Sequence, residues 1–234
     1  MIELLRGDHH VHSTFSDDAV STPEENVAAA HAAGLRELRL VDHVRQSTTW
    51  VPDYVRTMRA LVVPEGLELH TGVEAKILDR AGTLDIPSLP DGVDRILIAD
   101  HQFPSIEGPL GPTEVRRRIA EGWAIADVLD DYVAALLAVM QRHPGNQLAH
   151  CFSLLPKLGI EESAVGVERL TAWAEAARDT STVVEVNEKW ACPAPAALAA
   201  ARTAGVELVA ATDSHTAADV GQYARVRELI EDLP

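Results

Sequence analysis

Cysteine is scarce. Cys151 and Cys192 are the only two among 234 residues, too few for a disulfide framework and in keeping with a reducing compartment. Basic residues are outnumbered, 20 Lys and Arg against 36 Asp and Glu, for a formal net charge of −16. So acidic a chain lacks the basic stripe that a broad nucleic-acid-binding surface needs, which makes nucleic acid an unfavoured partner. The same balance leaves an anionic small molecule open, because bound divalent ions make a site locally positive whatever the overall charge. No apolar run approaches the roughly 18 residues of a membrane-spanning helix. Glu3, Arg6 and Asp8 interrupt the one apolar stretch near the N-terminus, so no signal-peptide pattern is present and a cytoplasmic location follows by default. Internal repeats, low-complexity tracts and linkers are also missing, and nothing in the chain sets an oligomeric state.

What is present is a hydrophobic content of 47%, enough for a substantial core, in a length that fits one α/β-barrel domain spanning residues 1–234. Apolar, β-branched runs alternate with Ala/Leu-rich stretches. The runs predict strands at Ile2–Leu5, Glu37–Val41, Leu67–Val73, Arg95–Ala99, Gln147–His150, Thr182–Val186 and Glu207–Ala211. Helices are expected near 23–34, 53–62, 113–121, 127–143, 161–178, 194–204 and 217–232. Thr22-Pro23-Glu24-Glu25 is a capping-box pattern, and Gly34 and Gly205 stand where helix-ending glycines belong. Seven strands alternating with helices predict a parallel α/β fold, barrel-like, with an open doubly wound sheet as the competing arrangement.

Ionisable residues gather at the C-terminal ends of these runs. They are His10 and His12 with Asp17, His43, Glu74, His101, His150, Asn187, and Asp213 with His215. His10 and His12 stand two apart, so an extended chain projects both to one face. In a parallel barrel all these ends converge on one mouth. Nine of the groups have metal-ligand chemistry: His10, His12, Asp17, His43, Glu74, His101, His150, Asp213 and His215. One ion takes about four to six ligands, so this set implies two or three ions with a bridging carboxylate, for which Glu74 is the natural choice.

Taken in order, Asp8-His9-His10-Val11-His12-Ser13 with Asp17, Val41-Asp42-His43, Gly72-Val73-Glu74, Asp100-His101, Ala149-His150, Glu185-Val186-Asn187 and Thr212-Asp213-Ser214-His215 resemble the polymerase and histidinol phosphatase (PHP) family. The resemblance implies a distorted (β/α)7 barrel, a trinuclear site holding Zn, Mn or Fe, and hydrolysis of phosphate esters, often phosphomonoesters. It also implies a division of ligands. One ion takes His10, His12, Glu74 and Asp213; a second shares Glu74 and adds His101 and His150; a third takes Asp17, His43 and His215. Many family members carry a histidine at the Asp17 position, and Asp18, one residue on, competes for it.

The expected chemistry is hydrolysis of a small phosphomonoester, such as histidinol phosphate, a nucleotide or another phosphorylated metabolite, by a hydroxide bridging two metals. Asp213 and His215 are the candidate catalytic residues, with His215 or another histidine at the mouth able to protonate the leaving oxygen. Arg45, Lys76, Lys189 and Asn187 follow the motifs closely enough to bind substrate. A phosphodiesterase or exonuclease, or a non-catalytic metal-binding protein, is the alternative. Asp8, Asp42 and Asp100 flank motif histidines and are candidates to orient them or to cap turns. Glu185 shares a strand face with Asn187. His9, His31, His70 and His143 read as structural, Cys151 as a small buried hydrophobe, and Trp50 and Trp190 as core, rim or a surface for a substrate ring.

Overall fold

In a computed structural model that describes residues 3–231, the alternation of apolar runs and Ala/Leu-rich stretches becomes strand–helix alternation. The elements are β1 (Gly7–Val11), α1 (Pro23–Ala32), β2 (Glu37–His43), α2 (Val51–Ala60), β3 (Glu68–Lys76), β4 (Arg95–Ala99), β5 (Phe103–Ser105), β6 (Gly108–Leu110), α3 (Pro112–Ala120), α4 (Ile125–Arg142), β7 (Gln147–Ala149), α5 (Leu154–Leu158), α6 (Val167–Asp179), β8 (Val183–Asn187), α7 (Pro195–Ala204), β9 (Leu208–Ala211) and α8 (Arg225–Glu231). Seven strands pair in the order β1-β2-β3-β4-β7-β8-β9, every neighbouring pair parallel. The sheet is a nearly closed barrel with helices outside, and β5–β6 is a separate antiparallel hairpin.

Closure between the first and last strands rests on few groups. His12 N donates to Ser214 O at 2.8 Å, beside a single bridge between Val11 and Ser214. The fully buried Asp8 carboxylate adds three bonds, accepting from Thr212 N (2.9 Å), Thr212 Oγ1 (2.6 Å) and Gly221 N (2.9 Å), and Tyr223 Oη donates to Gly7 O at 2.6 Å. Asp8 therefore closes the barrel and orients no histidine ring directly.

Strand parity sets the layers. Leu38, Leu40, Val73, Ala75, Ile96 and Ile98 face the helices in the main core. Their alternates Val41 and Leu97 join Ala99 and Ala149 in a small apolar plug inside the barrel. Glu74 shares that inner face, above the plug. Helix starts follow local signals: Thr22 and Glu25 form the reciprocal capping box of α1, and Gly205 ends α7 in the left-handed region at φ 83°.

Several elements differ from the sequence expectation. The run expected as the first strand, Ile2–Leu5, begins outside the described residues; Leu4–Arg6 form a 3₁₀ turn, and the strand is the polar stretch Gly7–Val11. Leu4 and Leu5 instead pack against the cluster containing Tyr223 and Val226. The helix expected over 161–178 splits at Gly166 (φ 79°) into a 3₁₀ turn, Glu162–Val165, and α6. The one expected over 217–232 becomes a 3₁₀ turn, Ala217–Asp219, and α8, with residue 232 outside the described residues. Nothing in the pattern foretold α5 or the β5–β6 hairpin.

Candidate metal centre

A β-bulge aims the first ligands. Asp8 pairs with Leu38 but Val11 with Leu40, so β1 spends three residues where β2 spends two. The extra residue restarts the alternation, and His10 and His12 both point into the mouth. The bulge also leaves the His9 carbonyl free to accept from Gln147 Nε2 inside the barrel at 3.1 Å. Gly7 makes room below, since a Cβ there would meet His9 Nε2 at 2.4 Å. At the other strand ends His150 and Asp213 take positive φ, 33° and 53°, conformations that non-glycine residues avoid unless the surroundings enforce them.

Three groups of side chains could each hold a metal ion: His10, His12 and Asp213; Glu74, His101 and His150; and His12, His43 and His215. Glu74 ties them together. Its carboxylate, 2% exposed, lies within 3.6 Å of nitrogens of His10, His12, His43, His101 and His150. The spacings can be compared with an ion's needs. Ligands about 2.0–2.1 Å from a tetrahedral zinc stand about 3.3 Å from one another. The atoms here match: His10 Nε2 to His12 Nε2 is 3.0 Å, His12 Nε2 to Asp213 Oδ1 3.4 Å, and His101 and His150 Nε2 to Glu74 Oε1 3.1 and 3.0 Å. Moreover, Glu74 Oε2 is buried and accepts no well-aligned hydrogen bond, although His43 Nδ1 stands 2.7 Å from it. An orphaned anionic oxygen amid convergent imidazole lone pairs is costly unless a cation completes it, so these residues fit divalent metal.

For His10, His12 and His150 the outward ring nitrogen is tied down, as metal-binding histidines require. His10 Nδ1 lies 3.1 Å from Glu185 Oε2, and His150 Nδ1 lies 3.3 Å from Asp100 Oδ1. His12 Nδ1 meets Ser16 Oγ at 3.3 Å, and that hydroxyl donates to Asp42 Oδ1 at 2.7 Å. Asp42 also holds Ser13, through its N–H at 2.9 Å and its hydroxyl at 2.7 Å. Tyr132, from α4, gives its hydroxyl proton to Asp100. Thus Asp100 orients a ring directly and Asp42 through a serine.

The electrostatics favour positive charge. Burial opposes the His10 cation, but the Glu185 and Glu74 carboxylates outweigh it and hold that imidazole well above its usual pKa. Burial would raise Glu74; the His10 and His101 charges overcome it and keep the carboxyl far below the normal range. Burial would raise Asp213 too, and the hydrogen bond with His12 and the charge of His10 reverse that. His12, with burial dominant, is pushed down to about 3 and stays neutral, the state in which imidazole ligates.

The centre opens into a cavity of about 450 Å³ lined by Asp17, Asp18, His43, Arg45, Glu74, Lys76, His101, Lys189, Trp190, Asp213 and His215 among others. Arg45, Lys76 and Lys189 therefore stand around the same space as the ligand groups. The structure differs from the sequence expectation at three points. The carboxylate facing His43 and His215 is that of Asp18, with Oδ2 at 3.4 and 3.3 Å from their Nε2 atoms. Asp17, one residue earlier in the same turn, lines the cavity without either contact. Asn187 is fully buried rather than facing substrate: its Nδ2 donates to Glu185 Oε1 at 2.6 Å and its Oδ1 accepts from Trp190 N at 2.9 Å. Both nitrogens of His215 have partners, Nδ1 3.0 Å from Asp213 O and Nε2 3.3 Å from Asp18 Oδ2, a placement beside the ligand groups rather than free in the cavity. His9 and His70 lie at the opposite end of the barrel, each 3.7 Å from Glu37. Trp50 packs on Phe15 and Tyr54 beside a second cavity of about 270 Å³.

A parallel barrel carrying a histidine–carboxylate centre at its C-terminal mouth is the architecture of a metal-binding α/β barrel. Residues 8–189 match the PHP domain model, and the chain belongs to the PHP domain family. It is 27% identical to a probable phosphatase of Caldanaerobacter subterraneus subsp. tengcongensis, over 97% of this chain and 82% of the relative. A probable phosphatase of Acetivibrio thermocellus is 26% identical over 97% of this chain and 86% of its own. Among solved structures, the histidinol phosphate phosphatase of Lactococcus lactis, complexed with zinc, L-histidinol and phosphate, superposes with a TM-score of 0.69. It covers 96% of this chain and 92% of that one at 20% identity, a likeness of fold.

Proposed function

We propose that this protein is a metal-dependent phosphatase acting on a small phosphomonoester. The observation that carries the reading is one buried carboxylate, Glu74, shared by five imidazoles at ligand spacing beneath a cavity ringed by three cationic side chains. One ion would be held by His10, His12 and Asp213 with Glu74, a second by Glu74, His101 and His150, and a third by His43 and His215 with Asp18. Zn, Mn and Fe all suit this donor set. Bound there, divalent ions acidify water to a nucleophile at neutral pH and neutralise charge on the phosphoryl oxygens.

The chain's own residues do the rest. Arg45 and Lys76 approach the phosphate from the β2 and β3 side, and Lys189 from the β8 side. The Arg45 guanidinium has no side-chain partner among the described residues and is free to fork two phosphate oxygens. Lys189 already sits 3.3 Å from Asp213 Oδ1, bringing an ammonium to the edge of the ligand cluster. Asp213 and His215 serve as ligands in this scheme rather than as acid or base. A cavity of about 450 Å³ suits a metabolite-sized ester.

The test is a phosphate-release screen on metal-loaded protein, with mononucleotides, sugar phosphates, histidinol phosphate and bis(p-nitrophenyl) phosphate. Release from monoesters at rates well above the diester is expected. Cleavage of diesters alone, or no release with any of the three metals, would overturn the proposal.

A further inference from the structure

Trp190 is the most exposed large aromatic side chain at the mouth, 39% accessible, yet its polar atom is committed. Indole Nε1 donates to Asp213 Oδ2 at 2.8 Å. That leaves Asp213 Oδ1 as the oxygen turned toward His12 Nε2, 3.4 Å away, with Lys189 Nζ 3.3 Å from it on the cavity side. The ring is itself fixed. Lys157, from α5, stands over one face with Nζ 3.7 Å from the ring centroid, close enough for a cation–π contact. The Trp190 backbone N–H donates to Asn187 Oδ1, and Asn187 Nδ2 donates to Glu185, which holds His10. A single turn after β8 thus reaches two members of one ligand group, His10 through Asn187 and Glu185, and Asp213 through the indole.

We propose that Trp190 is a positioning residue of the metal centre: clamped by Lys157, its indole N–H occupies Asp213 Oδ2 and leaves Oδ1 for the ion shared with His10 and His12. The inference rests on the metal-centre reading above. It also limits the indole as a stacking surface for a substrate ring, since one face lies beneath Lys157 and the edge is bonded to Asp213. A neutral N–H suits the task. It fixes the carboxylate without adding to the positive charge that Lys189 already brings to Oδ1, and residues that orient ligands in this way typically change metal affinity 10–100-fold when removed.

The experiment is a chelator titration of metal-loaded protein, with retained metal counted by elemental analysis. Trp190→Phe keeps the ring under Lys157 and deletes the N–H. It is expected to release one ion per chain at about tenfold lower chelator than wild type and to keep the others, with a thermal midpoint close to wild type. Lys157→Met, which loosens the clamp from the far side of the ring, is expected to shift the same ion in the same direction by a smaller factor. It serves in place of Trp190→Phe if that variant does not fold. Wild-type and variant curves that coincide would overturn the inference alone. Wild-type protein that retains no divalent ion would overturn the metal-centre reading and this inference with it.

Discussion

Asp17 and Asp18 are adjacent, equally acidic and equally exposed to a sequence-based choice, but only Asp18 reaches the Nε2 atoms of His43 and His215. Composition and spacing cannot separate two carboxylates in an irregular turn, because the direction of each side chain depends on the turn's own dihedral angles. Asp18→Asn should therefore remove one bound ion per chain and lower kcat/KM for a monoester about 10–100-fold, the range expected when a ligand or its orientation is lost. Asp17→Asn should stay within about twofold of wild type. Elemental analysis and steady-state kinetics on the pair decide the matter, and the reverse ranking would return the ligand position to Asp17. The roles of Asn187 and His215 were hidden for a similar reason: a sequence shows that an amide or imidazole is near the mouth, not that both its polar atoms are already engaged.

The turn Glu162–Val165 holds up the start of α7. Glu162 Oε1 accepts from Ala194 N, the residue before the helix, at 2.8 Å. Burial pushes the Glu162 carboxyl up to about 7, and that N–H only partly offsets it. The folded state then binds this proton more tightly than the unfolded chain does. Its contribution to stability is greatest below about 4.5, falls as pH rises toward 7 and is flat above, a span worth up to roughly 3 kcal/mol at about 1.4 kcal/mol per pKa unit. Glu162→Gln keeps the acceptor and removes the titration. The difference in thermal midpoint, variant minus wild type, should climb between pH 5 and pH 8; a difference independent of pH would refute the assignment. At this same scale the six later barrel strands were legible because apolar runs mark them. The first was not, because β1 is built from Asp8, His9 and His10, polar residues that no hydrophobic pattern selects and whose partners lie up to 213 positions away. The bulge that aims His10 and His12 belongs to the pairing with β2 and is invisible in either strand alone.

The molecule as a whole places its most expensive groups where all seven strands end. Glu74 and Asp213 are carboxylates buried among imidazoles, and Glu74 Oε2 accepts no well-aligned hydrogen bond. Convergence of seven strand ends was readable in order along the chain, since parallel topology turns sequence order into angular order around a mouth. The closure by Asp8 was not, since it joins the two ends of the sequence. A centre of this kind links stability to metal, because the folded barrel binds ions through preassembled ligands that the unfolded chain scatters. An ion held at a thousandfold excess over its dissociation constant adds about 4 kcal/mol. For a domain of this length each kcal/mol moves the thermal midpoint by about 2–4 °C. Exhaustive chelation should therefore lower the midpoint by roughly 8–16 °C for each such ion and abolish phosphate release, and Zn, Mn or Fe added back should restore both. A midpoint that does not move on chelation, in protein shown by elemental analysis to have lost its metal, would mean that the ligands are held by the fold alone and that the orphaned Glu74 oxygen is satisfied by water.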